Sequence, residues 1–219
     1  MDTVFIKAHV PMYAEAAGLT LYIAFWGILF SITAGFICSI IRYFKVPFLS
    51  SAVGCYIEVS RNTPLLIQLF FLYFGLPKAG VVLSSESCAV IGLAFLGGSY
   101  MAEAFRTGLD NVSHIQTEVA LSLGMKKRQI LRYIIIPQAA ADSVPPFCAN
   151  IIFLIKETSV FSAVALADLM YITKDLIGIY YNTDEALLML VISYLIILLP
   201  VSMLCTFVER RVRFAGYGD

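Results

Sequence analysis

Ionisable side chains set inside apolar runs are where this sequence could do chemistry. In the run from Ser99 to Arg106, Ser99 and Glu103 stand four residues apart and Glu103 and Arg106 three, so all three share one helical face. Glu103 can neutralise Arg106 within the chain, or line a path and receive a cationic group. Further on, Asn150 and Glu157 are seven apart and share a face, with Lys156 beside it. A carboxylate and an ammonium there could hold the two ends of a zwitterion, neutralise each other, or tie two chains together. Thr158 and Ser159 follow directly, able to bind a ligand or to satisfy backbone groups loosened at a helix end. At membrane depth such ionisable groups cost roughly 2.5–3.5 kcal/mol each, so they need a partner or an aqueous cavity.

Other chemistries find no footing. His9 and His114 are too few and too distant for a metal site, and the five cysteines (Cys38, Cys55, Cys88, Cys148, Cys205) are scattered singly. No HExxH or GxSxG stretch occurs, and no nucleophile–base constellation points to an intramembrane enzyme. The chain also lacks a GxxxxGK[ST] phosphate loop, so any work it does is powered by a partner or an ion gradient.

The elements that must position these residues are membrane spans. The 219 residues are 60% hydrophobic and 14% charged, against about 25% charged in ordinary soluble domains. Five spans are expected, at about 18–41, 56–76, 88–106, 143–157 and 186–208. The second reaches spanning length only by taking in Glu58 and Arg61, and the fourth is interrupted by Pro145, Pro146 and Asn150. Pro145-Pro146 is expected to break or kink that span, whereas Pro64 stands harmlessly near a helix start. The stripe Ala94, Gly98, Ala102 allows close helix contact. The first 18 residues carry acids and a proline where a signal peptide would have a basic and then an apolar region. With the N-terminus outside and the C-terminus in the cytoplasm, eleven basic residues fall on the inner side and three (Lys7, Lys78, Lys174) outside, with Lys156 left in a span. Arg61 then reads as an anchor at the inner boundary, and the polar stretch 168–185 lies outside.

On that inner side runs EVALSLGMKKRQILRYIIIP, residues 118–137. Its helix formers and Gly124 predict two short helices with a glycine corner, lying along the membrane face. Glu118-Val119-Ala120, then Gly124, then Ile134-Ile135-Ile136-Pro137 resembles the signature loop of bacterial ABC importer permeases, departing from it at Val119 and Ile136. Three more stretches resemble the subgroup that imports polar amino acids of the histidine, glutamine and arginine type: 61–71 (RNTPLLIQLFF), 99–108 (SYMAEAFRTG) and 155–159 (IKETS). They stand in the family's order and spacing, covering about residues 16–215.

The resemblance implies an all-α integral membrane protein with the type I ABC importer fold, a single permease domain of about five spans with a cytoplasmic coupling helix in the loop at about 107–137. Glu118, Ala120, Leu123, Gly124 and Pro137 would then couple the chain to an ATPase. Ser99, Glu103, Asn150, Lys156, Glu157, Thr158 and Ser159 are candidates for the substrate path. Partners implied are two ATP-binding subunits, an extracytoplasmic solute-binding protein, a second permease subunit (itself or a paralogue) and membrane lipid, with no nucleic acid. The chain itself would bind no cofactor, with ATP and Mg on the partner, and it would be a multi-pass protein of the bacterial cell membrane rather than an enzyme. The acids Glu103, Asp142 and Glu157 lean toward a cationic amino acid, neutral and acidic ones staying open. An ion-coupled secondary transporter is the alternative, though five spans do not divide into the repeat such proteins show. A purely structural membrane protein explains the hydrophobicity and not the four motifs.

Overall fold

The computed structural model describes residues 2–216, with side chains described for residues 2–212. The regular elements among the described residues are helical. They are α1 (Thr3–Tyr43), α2 (Leu49–Arg61), α3 (Leu65–Phe70), α4 (Ser85–Asn111), α5 (His114–Ser122), α6 (Lys127–Ile130), α7 (Ile136–Glu157), α8 (Leu169–Tyr180) and α9 (Thr183–Gly216). Four stretches are long and apolar enough to cross a membrane: Thr3–Tyr43, Ser85–Asn111, Lys127–Val164 and Thr183–Val212. Leu65–Ala79 is a shorter apolar helix.

Several expectations are revised. The first helix begins far ahead of residue 18, because Asp2 caps it: its Oδ1 accepts from the Val4 and Phe5 amides at 2.9 and 3.1 Å. The expected span at 56–76 is not one helix. α2 starts already at Leu49 and stops at Arg61, and α3 resumes at Leu65. The fourth span starts well before Ser143, at Lys127, and runs helically through Pro145 and Pro146 instead of breaking there. Of the two short helices expected around Gly124, the first is α5, while the second is merely the start of the long α6–α7 run.

Two π turns make the remaining joins. Phe71–Gly75 prolongs α3, and Leu131–Ile135 welds α6 to α7. Each ends two residues before a proline, Pro77 or Pro137, which has no N–H for the carbonyl four residues back. The ladder widens instead: the Leu76 amide donates to Phe71 O, and the Ile136 amide to Leu131 O.

α4 is the central post, and α1 lies along it. Gly27, Ser31, Gly35 and Ser39 form a buried stripe at four-residue spacing on α1. A Cβ at Gly27 would stand 2.5 Å from Leu93 Cδ2, and one at Gly97 would stand 2.7 Å from Leu154 Cδ1. Ser31 Oγ donates to Gly27 O (2.7 Å) and to Leu93 O across the seam (3.2 Å). Gly98, from the expected stripe, receives the Tyr56 hydroxyl instead, with a would-be Cβ distance of 2.6 Å. On the α1 side the closest approach thus uses Gly97, one position over. α7 packs on another side of α4 around Leu93, Leu96, Leu154 and Phe161, and α9 closes a second core with Tyr13, Leu169 and Met189.

Candidate functional site

The site arises where two helical runs are interrupted at the same height. Thr63 precedes a proline, which disfavours helical geometry, and Pro64 brings no N–H, so α2 ends. The loosened groups turn back on the helix: Asn62 Nδ2 donates to Glu58 O at 2.8 Å and Thr63 Oγ1 to Val59 O at 2.7 Å. Gln68 Nε2 bridges the gap, donating to Ser60 O and Thr63 O at 3.2 and 3.0 Å. The Tyr56 hydroxyl and Ser60 Oγ both donate to Phe95 O, at 2.7 and 3.0 Å, which sets the break beside the middle of α4. α7 rises on the other side, where Asn150 Nδ2 donates to Tyr100 O at 3.1 Å. After Glu157 it tightens into a 3-10 turn, Thr158–Val164.

Between these interruptions lies a cleft of about 500 Å³. Arg61, Asn62 and Pro64 from the α2–α3 break, Tyr100 from α4, and Phe153 and Glu157 from α7 line it. Arg61, expected as an anchor at the inner boundary, lines this cleft. Its guanidinium lies 5.4 Å from the Tyr100 ring centre, a cation–π distance.

Below the cleft, Glu103 sits among three arginines. Arg106 Nη2 approaches to 2.8 Å, Arg42 Nη1 to 3.2 Å and Arg61 Nη1 to 3.6 Å, while Arg106 also meets Asp110 at 3.5 Å. The Glu103–Arg106 pair was visible in the spacing. Arg42 and Arg61 join from helices whose contacts the sequence does not show. Ser99 is fully buried and its Oγ donates to Leu96 O in its own helix at 2.7 Å. Thr158 is likewise buried, donating to Ile155 O at 2.7 Å and lying 3.2 Å from the Tyr194 hydroxyl. Lys156 is exposed and Ser159 half-buried, and neither lines the cleft. Of the seven candidate path residues, Glu157 alone does. Asp142 lies elsewhere, in a hollow with Asn111, Thr206 and Arg210.

The candidate coupling residues gather at the other end. Gly124 takes φ +78°, a left-handed conformation suited to glycine. Its amide donates to Leu121 O at 2.9 Å, and the Met125 amide to Ala120 O at 3.1 Å, a paired closure known as the Schellman motif. Ala120 is buried beneath this turn, whereas Glu118 and Gly124 are exposed. Ile115, Val119 and Leu123 leave an apolar surface uncovered, at 69%, 54% and 77% exposure. Pro137 is exposed just past the π turn that it enforces.

The chain matches the family described as "Binding-protein-dependent transport system inner membrane component" over residues 17–214. It is 35% identical to the probable glutamine ABC transporter permease protein GlnP of Bacillus subtilis, over 75% of this chain and 76% of the relative. It is 38% identical to the probable amino-acid ABC transporter permease protein PatM of Vibrio harveyi, over 74% of each chain. A crystal structure of an amino acid ABC transporter with histidines superposes with a TM-score of 0.90 at 29% identity, covering 96% of this chain and 99% of the other. The inward-facing MetNI methionine ABC transporter shares the fold, with a TM-score of 0.75 at 19% identity over 94% and 98% of the two chains. These matches give the ion-coupled alternative no support. Four membrane-length helices, a helix break facing a charged cleft, and a family match over nearly the whole length lead to one conclusion: the chain belongs to the binding-protein-dependent ABC importer permeases, as a multi-pass transport component and not an enzyme.

Proposed function

We propose that this chain moves a polar amino acid into the cytoplasm, energised by ATP hydrolysed on separate subunits. The single observation that carries the energetic half is α5. It is a short helix hung from the bundle by a glycine turn, with Ile115, Val119 and Leu123 left bare. A surface of that kind suits a partner's groove. In this reading Glu118, Ala120, Leu123, Gly124 and Pro137 belong to the coupling element, Ala120, Gly124 and Pro137 by shaping it and Glu118 and Leu123 by touching the ATPase. The cytoplasmic side is then the side of α5. Moving Arg61 into the cleft leaves ten basic residues inside against three outside, so the orientation keeps its bias.

The substrate passes through the cleft at the helix breaks, with Glu157 on its wall and Glu103 below it. Asn150 positions α7 against α4, and Ser99, Thr158, Lys156 and Ser159 support the structure around the cleft. Two ATP-binding subunits holding ATP and Mg, a second permease chain and an extracytoplasmic binding protein complete the machine. Only the unequal affinity of nucleotide and substrate for inward- and outward-facing states can drive the switch between them.

The test is affinity purification in mild detergent from the native membrane, for wild type and Glu118→Lys. An ATPase subunit should come down with the wild type, be lost or weakened with the variant, and hydrolyse ATP faster when an amino acid is supplied. A chain that purifies alone, under conditions that keep complexes together, would overturn the ATP-driven reading.

A further inference from the structure

Resting on the cleft as the substrate path, we propose that Arg61 and Glu157 clamp the α-carboxylate and α-ammonium of a neutral amino acid. The inference starts from charge counting at Glu103. One carboxylate faces three guanidinium groups, and the two shorter contacts, from Arg106 at 2.8 Å and Arg42 at 3.2 Å, satisfy it. Arg61 is the third and most distant, at 3.6 Å through one nitrogen, and it alone of the three lines the cleft. It can turn to a ligand without leaving Glu103 unpaired.

Glu157 is the complementary surplus. It lines the same cleft, and among the described residues its carboxylate forms no ion pair or hydrogen bond, the neighbouring Lys156 acting on it only at longer range. The cleft thus holds one spare cation and one spare anion facing a common space. An amino acid's head group carries the same two charges in reverse. A guanidinium takes a carboxylate through two parallel N–H donors, and the Tyr100 ring restrains the plane in which Arg61 presents them.

The side-chain class follows by subtraction. Once the head group has taken Arg61 and Glu157, what remains on the walls is neutral: Tyr100, Phe153, Leu66, Val160, and the amide and hydroxyl of Asn62 and Thr63. A cationic or anionic side chain would meet no opposite charge there and would bear its desolvation uncompensated. The volume, about 500 Å³, lies within the range of about 300–1,000 Å³ typical of small-molecule sites.

The experiment uses the permease purified with its ATPase partner in lipid nanodiscs, without the delivery protein. Equilibrium binding of radiolabelled L-glutamine, L-arginine and L-glutamate is measured, with L-glutaminol, which lacks the carboxylate, as a competitor. Glutamine should bind about 10-fold or more tightly than either charged amino acid. Arg61→Met should weaken glutamine about 10-fold while changing glutaminol less than about 2-fold, with Arg61→Lys restoring part of the loss. Glu157→Gln should weaken glutamine and glutaminol alike. An Arg61→Met variant that weakens glutaminol as much as glutamine makes Arg61 merely structural and overturns the clamp. A preference for arginine or glutamate overturns the neutral assignment. Binding that ignores both substitutions sinks the clamp while leaving the cleft's role intact, whereas a wild type that binds no amino acid sinks both.

Discussion

Two regions along α4, its seam with α1 and the cleft beside Tyr100, are built on opposite rules. Toward α1 it presents a dry seam in which Gly27, Ser31 and Gly97 bring backbones so close that a single added carbon collides. At the cleft it presents Tyr100, with Arg61 and Glu157 on the same lining and Glu103 ion-paired to Arg61 nearby. In lipid, association gains little from apolar burial, so the seam relies on close contact and shared hydrogen bonds. The cleft gives up that density for groups left free to meet something else. α7 makes an equally close approach lower down, where Gly108 meets Ser143 and Ala139, so the cleft is a local opening between dense contacts and not a whole face given over to binding.

Substitutions can break or sharpen that contrast. Gly97→Val should have the largest effect, since its Cβ would press on Leu154 Cδ1 and on both Cβ and Oγ of Ser31, a side chain pinned by hydrogen bonds to Gly27 O and Leu93 O. A cost above about 3 kcal/mol is expected, read as loss of monodisperse protein and of a cooperative thermal transition. Glu103→Gln comes next. It leaves three guanidinium groups facing one another, and because the arginine side chains are 34–47% exposed the cost should be about 2 kcal/mol, not the 3–5 of a buried pair. The midpoint should fall less at high salt, and a salt-independent fall would speak against charge as the cause.

The smallest effect is expected from Asp168, a carboxylate that has neither a cleft nor a cation in contact. It caps α8 by accepting from the Tyr171 amide at 2.9 Å, and its second oxygen is buried with no partner among the described residues. Burial lifts its pKa from 3.8 to about 6, against the opposing pull of the Tyr171 and Met170 amides and of Lys174. The folded state therefore holds a proton that the unfolded chain has released, and stability declines as pH rises from about 4 to about 6. Above that the charged form is carried at a cost to stability. Asp168→Asn keeps the cap and removes the charge. It should raise the thermal midpoint at pH 7.5 and flatten the dependence between pH 4 and 6, and an unchanged slope would disprove this assignment.

Much of this could be read in the sequence, and the failures share a cause. Periodic hydropathy and four motifs carried the fold, and the three-residue spacing announced the Glu103–Arg106 pair. What did not show were contacts between elements distant in the chain: Arg42 and Arg61 on Glu103, or Gly97 against Ser31. The prolines teach the same lesson. Pro64 ends a helix because Asn62 and Thr63 can satisfy the loose carbonyls, and Pro77 and Pro137 each follow a π turn. Pro145 and Pro146 leave α7 helical, and the carbonyls of Ala141 and Asp142 that they deprive lie by a hollow lined with Thr206 and Arg210. The residue type is the same each time, and the neighbours decide.

The π turn at Leu131–Ile135 gives the molecule a setting that is adjustable by whole residues. It stores one residue beyond what an α-helix would use over the same rise. Deleting that residue would rewind the segment and swing α6 and α5 by about 100° around the axis of α7. The bearing of the bare α5 surface relative to the bundle is thus a discrete quantity, like the tooth of a gear. A single-codon deletion or insertion here would re-aim the helix while every residue of the cleft stayed in place.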